Sequence, residues 1–251
     1  MTDQGELSYP GGKLRLHVDA ALGDGLSVAP GDSQAHYLLH VMRAKKGDAL
    51  RLFNGRDGEW LATISEVSKR GTMLLCRQKI ADQSAVPDLW LVFAPIKKTP
   101  ADYVVQKATE LGVRRLQPVL TRRTIVTRVN RERMRANAIE AAEQSGRLDV
   151  PDIGEAQPLS ALLASWPRDR TVIFCDEAGE APPIAAALKD GGKSPTAILT
   201  GPEGGFDPAE REVIRARPNV VAVSLGPRIL RADTAALAAL SIWQSVRGDW
   251  A

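Results

Sequence analysis

Several residue types are scarce here, and each scarcity excludes something. Two cysteines, Cys76 and Cys175, are too few for a disulfide framework or a multi-cysteine zinc site. Both stand in apolar surroundings, Leu74-Leu75-Cys76 and Ile173-Phe174-Cys175, and read as buried free thiols suited to a reducing compartment. The histidines are His17, His36 and His40; the last two are four apart, but no Glu follows His36 as in an HExxH motif, so no metal site is expected. Apolar runs fall short of the roughly 18 residues that a membrane helix needs. Residues 1–12 lack the basic and apolar stretches of a secretory leader, so a soluble cytoplasmic protein is expected. Net charge is also small, at +3 over 251 residues. With 44% hydrophobic and 25% charged residues the chain has an ordinary globular composition and enough length for one large or two smaller domains.

The front of the chain reads as short strands. Lys13–Val18 alternates polar and apolar residues. Ala49–Phe53 and Trp60–Val67 flank Asn54-Gly55-Arg56-Asp57-Gly58, two turn dipeptides in one loop, and Thr72–Gln78 follows as a further strand. His36–Met42 reads as a short helix between them. Four or five strands in so short a stretch suggest a small barrel. The polar, proline-containing segment 81–88 reads as a linker, giving a first domain over 1–82 and a second over 83–251.

From Leu89 on, strand-length apolar runs alternate with helical periods. Leu89–Ala94, Leu116–Leu120, Thr171–Cys175, Ala197–Thr200 and Val220–Leu225 are strand candidates. Helices are expected over 101–111, stopped by Gly112, from Asn130 to about Ser145, after the Asp207-Pro208-Ala209-Glu210 capping signature, and over Thr234–Val246. This alternation predicts an α/β fold with a parallel sheet covered on both faces.

Two stretches carry the chemistry. Leu199-Thr200-Gly201-Pro202-Glu203-Gly204-Gly205-Phe206 runs from a strand into a glycine loop and a capped helix. Leu225-Gly226-Pro227-Arg228-Ile229-Leu230-Arg231 does the same one unit later, ahead of a helix capped by Asp233 or Thr234. Ligands of open α/β sheets bind at such strand ends, where glycine lets backbone approach closely. Neither loop is a phosphate-cradling P-loop or a GxGxxG dinucleotide motif. The arginines suggest an anionic or polar substrate, and Ile229 and Leu230 between them call for burial. Residues 97–147 hold twelve Lys and Arg against five Asp and Glu, a local excess of seven. Such a bias is the footprint of a phosphate backbone. With Arg43, Lys45 and Lys46 in the front domain it points to RNA. Arg15, Arg43, Lys45, Lys46, Lys98, Arg122, Arg123, Arg147 and Arg228 are the candidate RNA contacts.

Glu110–Val113 (ELGV), Glu140–Arg147 (EAAEQSGR), Gly201–Phe206 (GPEGGF) and Leu225–Ala235 (LGPRILRADTA) occur in that order, with Val41-Met42-Arg43 and Lys46-Gly47-Asp48 in front. The chain therefore resembles, over nearly its whole length, the RsmE family of bacterial 16S ribosomal RNA uridine-N3 methyltransferases of the SPOUT superfamily. The resemblance implies a PUA-like barrel that helps hold RNA, then a trefoil-knotted α/β domain that binds S-adenosylmethionine. It also implies a homodimer acting on 16S ribosomal RNA of the small subunit, with the cofactor near the dimer interface.

On this reading Leu199, Thr200, Gly201, Pro202, Gly204 and Gly205 of the first loop hold the cofactor. Leu225, Gly226, Pro227, Ile229, Leu230 and Thr234 of the second region hold it too. Arg231 is the candidate cation for negative charge developing on the base. Asp233 is the candidate proton acceptor, with Glu203 second. The family motif often carries Glu where this chain has Asp233, one methylene longer. A 2′-O-ribose methyltransferase of the same fold and a non-catalytic RNA-binding assembly factor are the competing readings.

Overall fold

The computed structural model describes residues 14–68, 71–126, 128–177, 180–189 and 194–251, with the side chains of Lys98 and Thr99 outside that description. The chain divides into two compact units. One reaches to Ala85 and includes Ala142–Asp149; the other comprises Val86–Ala141 and Val150–Ala251.

The first unit is built on β1 (Arg15–His17), β2 (Ser27–Val28), α1 (Asp32–His36), β3 (Ala49–Phe53), β4 (Glu59–Ser68) and β5 (Gly71–Ala81). The strands form one sheet in the order β1-β3-β4-β5-β2, with β1 parallel to β3 and the remaining pairs antiparallel. Register shifts in the long β4–β5 pair increase its local twist. The inward residues Leu50, Leu52, Ala62, Ile64, Leu74 and Cys76 make the core with Leu38. The expected helix over 36–42 starts earlier, at Asp32, and continues as a wider π-helical turn over Tyr37–Val41. The reason is local: Gly31 N–H donates to the Gln34 side chain at 3.2 Å and fixes the start.

The segment Ala142–Asp149 joins this unit through specific bonds, where the sequence had placed it with the second domain. Arg15 donates to the carbonyls of Ala142 and Arg147, His17 N–H donates to Glu143 Oε1, and Gly55 N–H donates to the Leu148 carbonyl.

The second unit holds β6 (Leu89–Phe93), α2 (Lys98–Glu110), β7 (Arg115–Leu120), α3 (Arg131–Ser145, its last residues in the first unit), β8 (Asp152–Ile153), β9 (Gln157–Pro158) and α4 (Leu159–Ala164). These are followed by β10 (Thr171–Cys175), α5 (Ile184–Lys189), β11 (Thr196–Thr200), α6 (Pro208–Arg215), β12 (Val220–Val223) and α7 (Ala232–Arg247). The sheet order is β12-β10-β11-β6-β7-β8, with β9 also beside β7, and every pair is parallel.

Alternate residues serve the two faces, as the strand period of two requires. Leu91, Phe93, Ile173 and Ile198 pack with Val104 and Ala108 of α2 and with Ala239, Leu240 and Trp243 of α7. Val92, Val172, Phe174, Ala197 and Leu199 pack on the opposite face with Leu159, Leu162 and Leu163 of α4 and Ile214 of α6. The short elements β8, β9, α4 and α5 were not legible as periods in the sequence, each having at most six residues.

Asn54, Gly55 and Gly58 make the β3–β4 loop as their turn chemistry predicts. Asn54 Oδ1 accepts from the N–H groups of Arg56 and Asp57, and both glycines have positive φ. Asp57 Oδ2 in turn accepts from the Asn54 amide at 2.6 Å and from Leu22 N–H at 2.9 Å. The Asn54 amide foremost, then Leu22 N–H, hold its carboxyl below the ordinary 3.8. A carboxylate with a depressed folded value stabilises above its unfolded value and loses that contribution as pH falls through the folded one. Asp57→Asn is therefore expected to lower the melting temperature at pH 7, with the gap to the parent protein closing as pH drops below 3.8. A gap independent of pH in thermal melts would contradict the charge argument.

Candidate active site

Three neighbouring strands, β12, β10 and β11, deliver their carboxyl ends to one place. A cavity of about 270 Å³ opens there. The loop after β11 contributes Thr200, Gly201, Pro202, Glu203, Gly205 and Phe206. The segment after β12 contributes Ser224 to Ala232, and Ala235 of α7 completes that side. The two glycine loops expected to share a pocket do share one, although β11 and β12 are not adjacent. Between them runs β10, whose end supplies Cys175, Asp176 and Glu177. Sequence reasoning missed this third contributor. Its signal was present, since the apolar run Thr171–Cys175 passes directly into Asp176-Glu177, the same strand-end position as the other two.

The first loop is held from several sides. Asp207 caps α6 by accepting from Ala209 N–H, Pro208 follows it, and the Glu210 side chain reaches back to Asp207 N–H, as the capping signature foretold. Phe206 fills the space beside Gly201, where a Cβ would stand 2.8 Å from its ring. Arg122 pairs with Asp207 at 2.8 Å, and Arg123 donates to the Gly204 carbonyl at 2.9 Å. These two exposed arginines, named as RNA contacts, thus also fasten the loop. Asp176, its side chain 1% exposed, is ion-paired with Arg211 at 2.9 Å and Arg215 at 2.6 Å, both on α6.

Not every candidate reaches the cavity. Leu199 is buried in the sheet core, and Gly204, Asp233 and Thr234 are absent from the lining. The capping expectation for the last helix is corrected: α7 starts at Ala232, with Arg231 as the residue before it. Asp233 therefore lies inside the first turn, where it accepts from Thr234 N–H at 2.7 Å and complements the helix dipole. Of the two carboxylates named for proton transfer, Glu203 lines the cavity and Asp233 does not. Arg228 and Arg231 both line it and are exposed. Neither has an ion-pair partner among the described residues.

Ile229 also departs from expectation. Instead of being buried between the arginines it is 86% exposed at the cavity rim, where none of the described residues covers it. Cys175 is half-buried in the lining, and desolvation pushes its thiol up to about 12, toward the protonated form.

Among the RNA-contact candidates, Arg43, Lys45 and Lys46 are exposed at the end of the π-helical turn, and Arg43 adopts φ +54. Lys98 falls outside the described side chains. Arg15 and Arg147 are corrected. Their side chains are 8% and 6% exposed and ion-paired with Glu59 and Asp149, because both are spent on internal bonds of the first unit.

Two family models match this architecture: an RNA methyltransferase domain over residues 82–244 and an RNA methyltransferase PUA domain over 30–71. A curated Ribosomal RNA small subunit methyltransferase E from Rickettsia conorii is 33% identical, over 90% of this chain and 93% of its own. Its counterpart from Bacillus subtilis is 31% identical, over 86% and 90%. Among solved structures, the Ribosomal RNA small subunit methyltransferase E from Neisseria gonorrhoeae, bound to S-adenosyl methionine, superposes with a TM-score of 0.85 at 27% identity, covering 95% of this chain and 99% of that one. A methyltransferase from Legionella pneumophila in complex with the same cofactor gives a TM-score of 0.84 at 26% identity, over 94% and 98%. The chain belongs to the ribosomal RNA small subunit methyltransferase E family, with the α/β RNA methyltransferase domain and PUA-like domain that define it.

Proposed function

We propose that the protein methylates N3 of a uridine in 16S ribosomal RNA, in the cytoplasm, with S-adenosylmethionine held in the strand-end cavity. The observation that carries this reading is the convergence of two glycine loops and the end of β10 on one cavity, in a member of an rRNA methyltransferase family. The lining suits that cofactor. Leu225, Ile229, Leu230 and Phe206 offer apolar surface to a purine ring, while the lining carboxylates and Arg228 offer partners to an amino-acid zwitterion. Gly226, at φ +106, has no atom within 4 Å of where its Cβ would lie, which leaves that side open for close approach. When bound, the cofactor supplies a methyl group made electrophilic by a sulfonium.

The chain's own residues must then align the base and move one proton. N3 of uracil carries a proton that has to leave as the new N–C bond forms, and negative charge builds toward O2 and O4 meanwhile. Arg231 is assigned to that charge, its planar guanidinium being positive at any working pH. Glu203 is assigned as proton acceptor, because of the two candidate carboxylates it is the one that lines the cavity. N3 is reachable only in an unpaired or flipped uridine. The first unit, with Arg43, Lys45 and Lys46 exposed, is assigned to holding the RNA backbone. A homodimer is assigned as the working form, and the exposed Ile229 beside the cavity is assigned to its interface.

Three measurements test this reading. Nucleoside mass spectrometry of rRNA treated with the protein and S-adenosylmethionine is expected to show 3-methyluridine; a methyl on ribose would reassign the chemistry, and no methyl at all would leave an RNA-binding role. Arg231→Ala is expected to cost on the order of 2–4 kcal/mol of transition-state stabilisation in single-turnover methylation with little change in cofactor affinity. Normal turnover would remove Arg231 from the catalytic groups. Ile229→Asp is expected to weaken self-association in sedimentation experiments, and an unchanged dimer would place the interface elsewhere.

A further inference from the structure

Three acidic side chains line the cavity, Asp176, Glu177 and Glu203, and they are held in different ways. Asp176 is buried and neutralised by Arg211 and Arg215. Glu203 is exposed on the first glycine loop. Glu177 leaves the end of β10 and lies against that loop. A Cβ built on Gly205 would stand 1.9 Å from Glu177 Oε1 and 3.1 Å from its carboxyl carbon. Gly205, at φ +66, favours glycine by its backbone conformation, and the exposed Glu177 carboxylate takes up the space that the missing side chain leaves.

Among the described residues nothing pairs with that carboxylate, by ion pair or by hydrogen bond. Of the cations in the lining, Arg211 is spent on Asp176, and neither Arg228 nor Arg231 pairs with Glu177. The cavity thus keeps one wall with an uncancelled negative charge, and such a wall favours a ligand of net positive charge over a neutral one of the same shape.

S-adenosylmethionine and its demethylated product, S-adenosylhomocysteine, test that preference directly. They share the adenine, the ribose hydroxyls and the amino-acid end, whose ammonium and carboxylate cancel. They differ in one methyl group and in the sulfonium charge. Resting on the cofactor reading above, we propose that Glu177 is a specificity-determining residue whose charge makes the cavity prefer S-adenosylmethionine to S-adenosylhomocysteine. A carboxylate serving only as a hydrogen-bond acceptor for ribose or ammonium would hold both ligands alike, so the ratio of the two affinities isolates the charge. The preference lets the spent cofactor leave and limits inhibition by product.

The experiment is calorimetric titration of the full chain with each ligand, without RNA. Glu177→Gln keeps the shape and removes the charge. It is expected to weaken S-adenosylmethionine binding about tenfold while S-adenosylhomocysteine binding changes by less than about twofold. Glu177→Asp, which keeps the charge, is expected to retain a preference for the methylated ligand. In the parent protein alone, added salt is expected to shrink the ratio of affinities, a readout independent of how the variants fold. Equal losses for both ligands in the Gln variant, or a ratio in the parent protein that ignores salt, would overturn the proposal. A parent protein that binds neither ligand would instead overturn the cofactor reading beneath it.

Discussion

The side chain of Asp176, 1% exposed, accepts from both Arg211 and Arg215 at distances between 2.6 and 3.0 Å. An isolated buried carboxylate costs several kcal/mol, so the pairing with α6 is close to obligatory. It joins the end of β10 to the helix that starts where the first glycine loop ends. The same helix start is tied to the loop after β7 through Arg122 and Asp207, and the glycine loop itself through Arg123 and the Gly204 carbonyl. The end of β10 and the first glycine loop thereby acquire fixed positions at the cavity, with the loop after β7 bracing them from outside its lining. Positioning of this kind is what a reaction with little covalent protein chemistry asks of its enzyme.

Charge in this chain does two jobs that composition alone does not separate. Arg15, Arg147 and Arg170 have side chains less than a tenth exposed and are paired with Glu59, Asp149 and Asp88. Arg170 also lies 3.9 Å from the centroid of the Trp90 ring. These guanidiniums are internal fasteners. Arg228 and Arg231, by contrast, stand exposed at the cavity. The local excess in 97–147 that suggests a polyanionic partner therefore includes at least one guanidinium, that of Arg147, that is not at the surface.

The legible parts of the fold were those with a long period or a strong local rule. The apolar runs Leu89–Phe93, Thr171–Cys175 and Thr196–Thr200 announce strands buried on both faces, and Asp207-Pro208 announces a helix start. Strand order was not legible, because pairing between β10 and β12 or between β6 and β11 depends on packing across the whole unit. That is why the two glycine loops were recognised while Glu177, on the strand lying between theirs, was not. Burial of Ile229 was inferred from its side chain alone, and the loop's course reverses it. Arg15 and Arg147 look like RNA contacts in the sequence because Glu59 is distant from the one and Asp149 is unremarkable beside the other.

The sheet order has a consequence for how the protein is made. β6 is among the first strands of its unit to leave the ribosome, yet its neighbour β11 begins at Thr196, more than a hundred residues later. Helix α7, which covers the same face as α2, ends at Arg247, and its Gln244 donates to the Leu111 carbonyl across 133 positions of chain. Contacts so far apart in sequence are slow to close. During synthesis the β6 edge and the apolar face of α2 must wait, uncovered, while more than a hundred further residues are made. The nascent protein thus stays open to aggregation until α7 has emerged, and a truncation that removes α7 leaves that vulnerable state permanent.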